Sequence, residues 1–409
     1  MTKVLTLLLL TLTGLNTARA ITVSGYVRDN MGAGLAGARV FLPGNPSEAA
    51  ITDTDGRFTF DSDKVSSRRR PSEKAVSRHL AKPGGTVSLM ASKQYYHNGE
   101  SQVTDGDTAA LIVLEKLPNI VLILSDDHGW TDYGFMGHDT IETPHLDRLA
   151  KESMVFTRGH VPFSVCRPSI LTLCTGLHTH EHGLHTGPPP PELDPGYLLK
   201  HIDSAVTVQK LLHERQGYVT LQTGKWWEGS FKRGHFTHGM THGKNGGRGD
   251  HGDDGLTIGR EGMGPIPRFI DSAGEKPFYI YYAPKMPHVP HDPPDSLREK
   301  YLQHTDNEWY AGYWAMVEWF DRTCGELIQV LEDKGVRDNT IIFYLADNGW
   351  TQGLHNWGAD GKSKLTPYDK GIRTPVMVSW PGKVTPGRDE QTLVVLVRRS
   401  SGIFLVDFA

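Results

Sequence analysis

The stretch 118–134, PNIVLILSDDHGWTDYG, decides the architecture of this chain. Its first half, Asn119–Ser125, is an unbroken apolar run without alternation, the pattern of a strand covered on both faces. At Asp126 and Asp127 the apolar character stops and carboxylates begin. Similar runs recur at 218–223, 277–282 and 340–346. Stretches of helical character lie between, at 145–153, 206–214 and 309–334. Strand–helix alternation predicts an α/β fold with a largely parallel sheet flanked by helices. Ligands of such sheets sit beyond the carboxyl ends of the strands, so the residues after each run are the candidates for function.

The first run is followed by Asp126-Asp127 and the last by Asp347-Asn348. Carboxylates converging at strand ends repel one another unless a cation holds them. All four are oxygen donors, which favours a hard ion such as Ca²⁺ or Mg²⁺ over zinc. Either pair alone also reads as turn chemistry, because Asp and Asn commonly turn the chain after a strand. The second run leads into Gly224-Lys225-Trp226-Trp227, the third into Pro287-His288-Val-Pro-His291, and Lys364 follows the last. Lys225, His288 and Lys364 would form an anion pocket facing the cation. Pro168 and Ser169 suit the first turn of a helix, and Gly176 suits its end. Cys166 then stands just before a helix amino terminus, where the dipole favours negative charge, and is a candidate nucleophile. Cys174 and Cys324 read as core residues.

Upstream, residues 1–20 (MTKVLTLLLLTLTGLNTARA) carry a basic start, a short apolar run and an Ala-Arg-Ala ending. They are expected to be a secretory signal cleaved after Ala20, which makes the protein secreted or periplasmic. Residues 21–63 alternate apolar and polar positions between turns at 30–34 and 55–56, and 109–114 reads as a closing strand. Residues 64–75 are basic and polar and read as an exposed loop. Net charge is −4, from 43 basic and 47 acidic residues, so nucleic acid and stable membrane insertion are not expected. Three cysteines form no disulfide framework. The 20 histidines crowd into 128–291. The His- and Gly-rich 235–255 reads as a loop rimming the cleft, or as a metal-binding stretch. Pro188–Pro191 reads as a stiff turn.

Taken in order, these motifs resemble the type I sulfatases of the alkaline-phosphatase-like superfamily. The family pattern C/S-x-P-S-R-x-x-L-x-T-G is met at Cys166, Pro168, Ser169, Leu173, Thr175 and Gly176. The opening at 118–134, "ETPHLDRLAKESMVFTRGH" at 142–160 (resembling the family's next helix), "GKWW" at 224–227, "MPHVPH" at 286–291, "LADNGW" at 345–350 and "KLTPYDKGIRTPVMVSWPG" from Lys364 complete the likeness. The resemblance implies a catalytic domain over 116–409 that cleaves sulfate esters, of a sulfated small molecule or polysaccharide. It implies that a formylglycine-generating enzyme converts Cys166 to formylglycine, whose hydrated aldehyde attacks sulfur and later expels sulfate. It further implies one Ca²⁺ per chain held by Asp126, Asp127, Asp347, Asn348 and the modified Cys166. Lys225 and Lys364 would neutralise the sulfate, and His288 would protonate the leaving alcohol. Residues 21–115 resemble the carboxypeptidase regulatory-like β-sandwich through Gly25, Val27, Asp29, Gly34, Ala38, Val40, Thr54, Gly56 and Phe58.

The chain departs from the family pattern at three places. Ile170 stands where the family has the arginine that steadies formylglycine, with Arg167 nearby as a partial replacement. Trp227 stands where the family has a histidine, for which His235, His238 or His242 would substitute. The likeness ends near Gly382, and the tail 391–409 is expected to reflect a truncated carboxyl-terminal subdomain. Two further readings stay open: a catalytically impaired protein that binds sulfated glycans, and a phosphoester hydrolase on the same fold.

Overall fold

A computed structural model describes residues 21–63, 86–185, 199–243, 251–355, 358–359 and 361–397. The expected signal at 1–20, the basic loop at 64–75, Pro188–Pro191 and the end of the tail lie outside these residues. The chain divides into two units, Met1–Leu117 and Pro118–Ala409.

In the first unit, Thr22–Asp29 is the central strand of a three-stranded sheet, antiparallel to Arg57–Asp61 and parallel to Ala110–Leu114. A four-stranded sheet joins Ala49–Ile51, Arg39–Phe41, Val87–Ser92 and Gly99–Val103. Both sheets send alternate side chains into one core, with Val23, Val27, Val40, Phe58, Leu89 and Ile112 at its centre.

Among the described residues of the second unit, nine strands form one sheet: β1 (Asn119–Ser125), β2 (Met154–His160), β3 (Val219–Gly224), β4 (His238–Gly239), β5 (Phe278–Ala283), β6 (Thr340–Ala346), β7 (Arg373–Ser379), β8 (Gly387–Asp389) and β9 (Val394–Val395). Their order is β4-β3-β5-β1-β6-β7-β2-β8, with β9 also beside β2. β7 alone runs against the others, so the sheet is largely parallel. Residues 142–160, read from sequence as helix, are instead helix α1 (Pro144–Lys151) followed by β2. The apolar positions of 154–156 face a sheet rather than continuing a helical stripe.

The centre of the sheet is held by burial. Val121, Ile123, Ile280 and Tyr344 are fully buried against Met316, Phe320 and Leu327 of a long helix, α3 (Glu308–Asp333). Each such apolar side chain stabilises by roughly 1.5–3 kcal/mol. Asn307 caps that helix, its Oδ1 accepting from Trp309 N at 2.9 Å and Tyr310 N at 3.1 Å. Between β2 and β3 lies α2 (Cys166–Thr175), where every residue but Arg167 is buried. Cys166 is therefore the first helical residue rather than the one before it, and Gly176 ends the helix in the left-handed region at φ 71°.

Candidate active site

Strand register brings the predicted residues together. In the parallel pair β1–β6, Ser125 stands opposite Ala346, so Asp126 and Asp347 emerge side by side. Asp347 N donates to Ser125 O at 2.9 Å, and Asp126 N to Met286 O at 3.0 Å, which ties the β1, β5 and β6 ends to one another. Gly224 ends β3 with φ 77°, and a Cβ there would lie 1.9 Å from Ala283 O. Only glycine allows that approach, and it lets Lys225 N donate to Ala283 O at 2.8 Å. Asp127 holds φ 56°, a left-handed conformation that Asp tolerates better than most residues.

The side chains converge on one buried pocket. Cys166 Sγ lies 3.5 Å from Asp126 Oδ1 and 3.7 Å from Asp127 Oδ1. Lys364 Nζ donates to Asp127 Oδ1 at 2.6 Å and to Cys166 Sγ at 2.9 Å. Lys225 Nζ lies 2.6 Å from Asp126 Oδ1 and 3.6 Å from Asp347 Oδ2. Asn348 Nδ2 donates to Asp127 Oδ1 at 2.7 Å, and Asp127 N to Asp347 Oδ1 at 3.3 Å. His288 Nε2 is 3.5 Å from Asp127 Oδ2, and its Nδ1 is 2.5 Å from Val289 O. Asp126, Asp127, Cys166, Lys225, His288, Asp347, Asn348 and Lys364 thus lie together in this pocket.

The electrostatics are those of crowded anions. Burial opposes ionisation of Asp126, but His288, Lys225 and Lys364 outweigh it and hold that carboxyl well below the usual range. Asp347 is pushed up to about 7 by burial and by the Asp126 charge. Burial and Asp347 also push the Cys166 thiol well above its ordinary value, against the pull of Lys225 and Lys364. Burial thus works against the pull toward the thiolate that a helix amino terminus exerts on Cys166.

Among the described residues, four buried oxygens here have no hydrogen-bond partner: Asp126 Oδ2, Asp127 Oδ2, Asp347 Oδ2 and Asn348 Oδ1. Each belongs to a different predicted ligand. A buried unsatisfied acceptor costs about 1–3 kcal/mol, so one group that satisfies all four is strongly favoured there. A hard divalent cation is such a group, and the residues fit it. Asp126, Asp127, Cys166 and His288 also place ligand-type atoms within 4.8 Å of one another.

Three substitutes expected for the histidine missing at Trp227 lie elsewhere. His235 Nδ1 is 3.3 Å from Thr207 Oγ1, His238 sits on edge strand β4 beside Phe269, and His242 packs against Phe231. Arg167 does not replace the arginine absent at Ile170. It forms two 2.8 Å hydrogen bonds to the buried Glu228, joining the start of α2 to the segment after Lys225. The sequence reading named neither Glu228 nor His251, whose ring lies 5.5 Å from that of His288.

Comparison with known proteins gives the same picture. The Sulfatase family model matches residues 118–396, past the point where the motif likeness stops. Arylsulfatase A of Homo sapiens is 30% identical over 327 residues, covering 68% of this chain and 62% of that protein. N-acetylgalactosamine-6-sulfatase of Homo sapiens is 28% identical, covering 66% of this chain and 58% of its own length. The solved structure of Ps i-CgsB with k-i-k-neocarrahexaose superposes with a TM-score of 0.56 at 26% identity, covering 69% of this chain and 70% of that one. The chain thus spans about three-fifths of the curated relatives it matches. With the sheet order, the carboxylate pairs at adjacent strand ends and the buried cysteine all on one matched segment, the chain belongs to the sulfatase family.

Proposed function

We propose that this pocket hydrolyses sulfate esters of a sulfated carbohydrate, with Ca²⁺ held by Asp126, Asp127, Asp347 and Asn348 and with formylglycine formed from Cys166. The observation that carries this reading is the set of four buried oxygens without a hydrogen-bond partner, beside a cysteine near two lysines. Support for a carbohydrate comes from the N-acetylgalactosamine-6-sulfatases and from the neocarrahexaose complex among the relatives. Residues 1–20 support export, and no helix among the described residues is long and apolar enough to cross a membrane.

Bound Ca²⁺ would add positive charge at the sulfate oxygens, and the converted Cys166 would supply the attacking oxygen. The chain's own residues do the rest. Lys225 and Lys364 release part of their bonding to Asp126 and Asp127 and hold the equatorial oxygens as charge builds around sulfur. The amino terminus of α2 adds partial positive charge on the same side. His288, with Nδ1–H donating to Val289 O, carries a proton on Nε2 only as the imidazolium, and in that form it passes this proton to the leaving oxygen and returns to the neutral ring. Burial of the pocket excludes water until attack.

A second reading, retention of sulfated glycan without turnover, draws on Ile170, which is buried within α2. Mass spectrometry of the peptide containing Cys166, from protein made with a formylglycine-generating enzyme, separates the two. An aldehyde at position 166 is expected; a thiol alone would leave only the binding role.

A further inference from the structure

Beside the residues already placed in the pocket stands His251. Its ring lies 5.2 Å from the ring of Trp227 and 5.5 Å from that of His288. Lys225 Nζ sits 4.6 Å above the centre of the same Trp227 ring. His251 therefore closes the side of the pocket formed by Lys225, Trp227 and His288. The backbone around it is built to put it there. Trp226 N donates to His251 O at 2.8 Å, and His251 takes φ 61°, a left-handed conformation uncommon outside glycine. The next residues lie against the end of β3: a Cβ at Gly252 would be 2.8 Å from Gly224 O, and one at Gly255 2.6 Å from the same atom. Asp253 accepts from His242 N at 2.9 Å with both carboxylate oxygens, fixing the far side of the turn.

We propose that His251 is the second imidazole of the ester pocket, contacting the sulfate ester beside His288 on its leaving-group side; this rests on the sulfatase reading of the pocket. It occupies space next to the residue after Lys225-Trp226, where Trp227 itself offers no ring nitrogen acceptor. Burial, helped by Lys225 and Lys285, pushes its imidazole down to about 4, so at neutral pH the ring carries one N–H and one lone pair. Such a ring hydrogen-bonds an ester oxygen without adding a charge that would compete with the lysines. The segment supplying it lies beyond β4, so a residue distant in sequence from Lys225 completes the same wall.

The test compares wild type, His251→Ala, His251→Gln and His242→Ala, all calcium-loaded and carrying the converted Cys166. Turnover of phenyl sulfate and 4-nitrophenyl sulfate is measured together with melting temperature and with inorganic sulfate binding by calorimetry. His251→Ala is expected to lower kcat/KM about 100-fold, more for phenyl than for nitrophenyl sulfate, at unchanged melting temperature. His251→Gln should recover part of that loss, and His242→Ala should match wild type. Wild-type turnover by His251→Ala overturns the assignment. So does an equal loss on both esters accompanied by a lowered melting temperature. If wild type turns over neither ester, the sulfatase reading fails by itself. Sulfate binding then decides His251: weaker binding by His251→Ala upholds its place in the pocket, and equal binding overturns it.

Discussion

Removing the divalent ion should do more than slow this protein; it should reverse the sign of its pocket. At about pH 8, above the value of about 7 to which Asp347 is pushed, Asp126, Asp127 and Asp347 carry three negative charges against the two ammonium groups of Lys225 and Lys364. Without an ion the pocket is net negative by one charge and repels a sulfate monoester. A divalent cation makes it net positive by one. Each unit of that two-unit change, about 4 Å away, contributes roughly 4 kcal/mol at an effective dielectric near 20, or about 1,000-fold in anion affinity. Ion binding to the folded state alone also stabilises it, by about 2.7 kcal/mol at 100 times the dissociation constant. For a unit of this size that raises the melting temperature by about 5 °C. The assay is differential scanning fluorimetry and aryl sulfate turnover after EGTA, then after Ca²⁺ is restored. Asp347→Ala should abolish both responses, because it removes one of the four oxygens that lack a hydrogen-bond partner and leaves two carboxylates that the lysines already neutralise. Equal melting temperatures and equal turnover with and without the ion would refute the reasoning.

Three further outcomes are expected. Lys364→Met should lower kcat/KM by about 1,000-fold while the fold persists, since its ammonium bonds both Asp127 and Cys166; activity assays beside circular dichroism check this. Glu228→Gln should destabilise by about 3 kcal/mol, because it leaves Arg167 without its carboxylate at a mostly buried pair, and urea unfolding measures it. Acid should destabilise the fold through His182, whose Nδ1 accepts from Leu184 N at 3.1 Å and whose Nε2 lies 3.0 Å from Thr172 Oγ1. Burial and nearby His201 push it down to about 4, so between the ordinary value and that point the unfolded chain binds a proton that the folded chain does not. Its contribution is whole above about pH 6.5 and falls by roughly 1.4 kcal/mol per pH unit below it. His182→Gln should flatten that acid limb in melting curves run from pH 7 to pH 4.

The central sheet was legible because β1, β5 and β6 are largely buried and read as apolar runs, while β3, though buried, interrupts its run with Thr220, Gln222 and Thr223. Their register then made function legible too: a parallel sheet sets the residues after each strand beside one another, so Asp126 and Asp347 need only follow their strands to meet. The strand β2 was hidden because 142–160 begins with a clear helical stripe and the apolar residues after Ser153 read as its continuation. Val87–Ser92 and Gly99–Val103 were passed over because their outward positions are small or polar and the runs are short. The pairing of Arg167 with Glu228 and the placing of His251 depend on contacts between segments far apart in the chain. No local period or spacing records such contacts. The pull of burial on Cys166 was equally out of reach, since a helix amino terminus suggests an acidic thiol and only the surrounding carboxylates and packing reverse it.

One measurement bears most directly on the chemistry of the pocket: hydrolysis of 4-nitrophenyl sulfate against 4-nitrophenyl phosphate by the calcium-loaded chain with Cys166 converted, beside Cys166→Ala. The sulfate ester alone should be cleaved, and Cys166→Ala should release no nitrophenol. Cleavage of the phosphate in preference to the sulfate, or undiminished cleavage by Cys166→Ala, would contradict a sulfatase working through that residue.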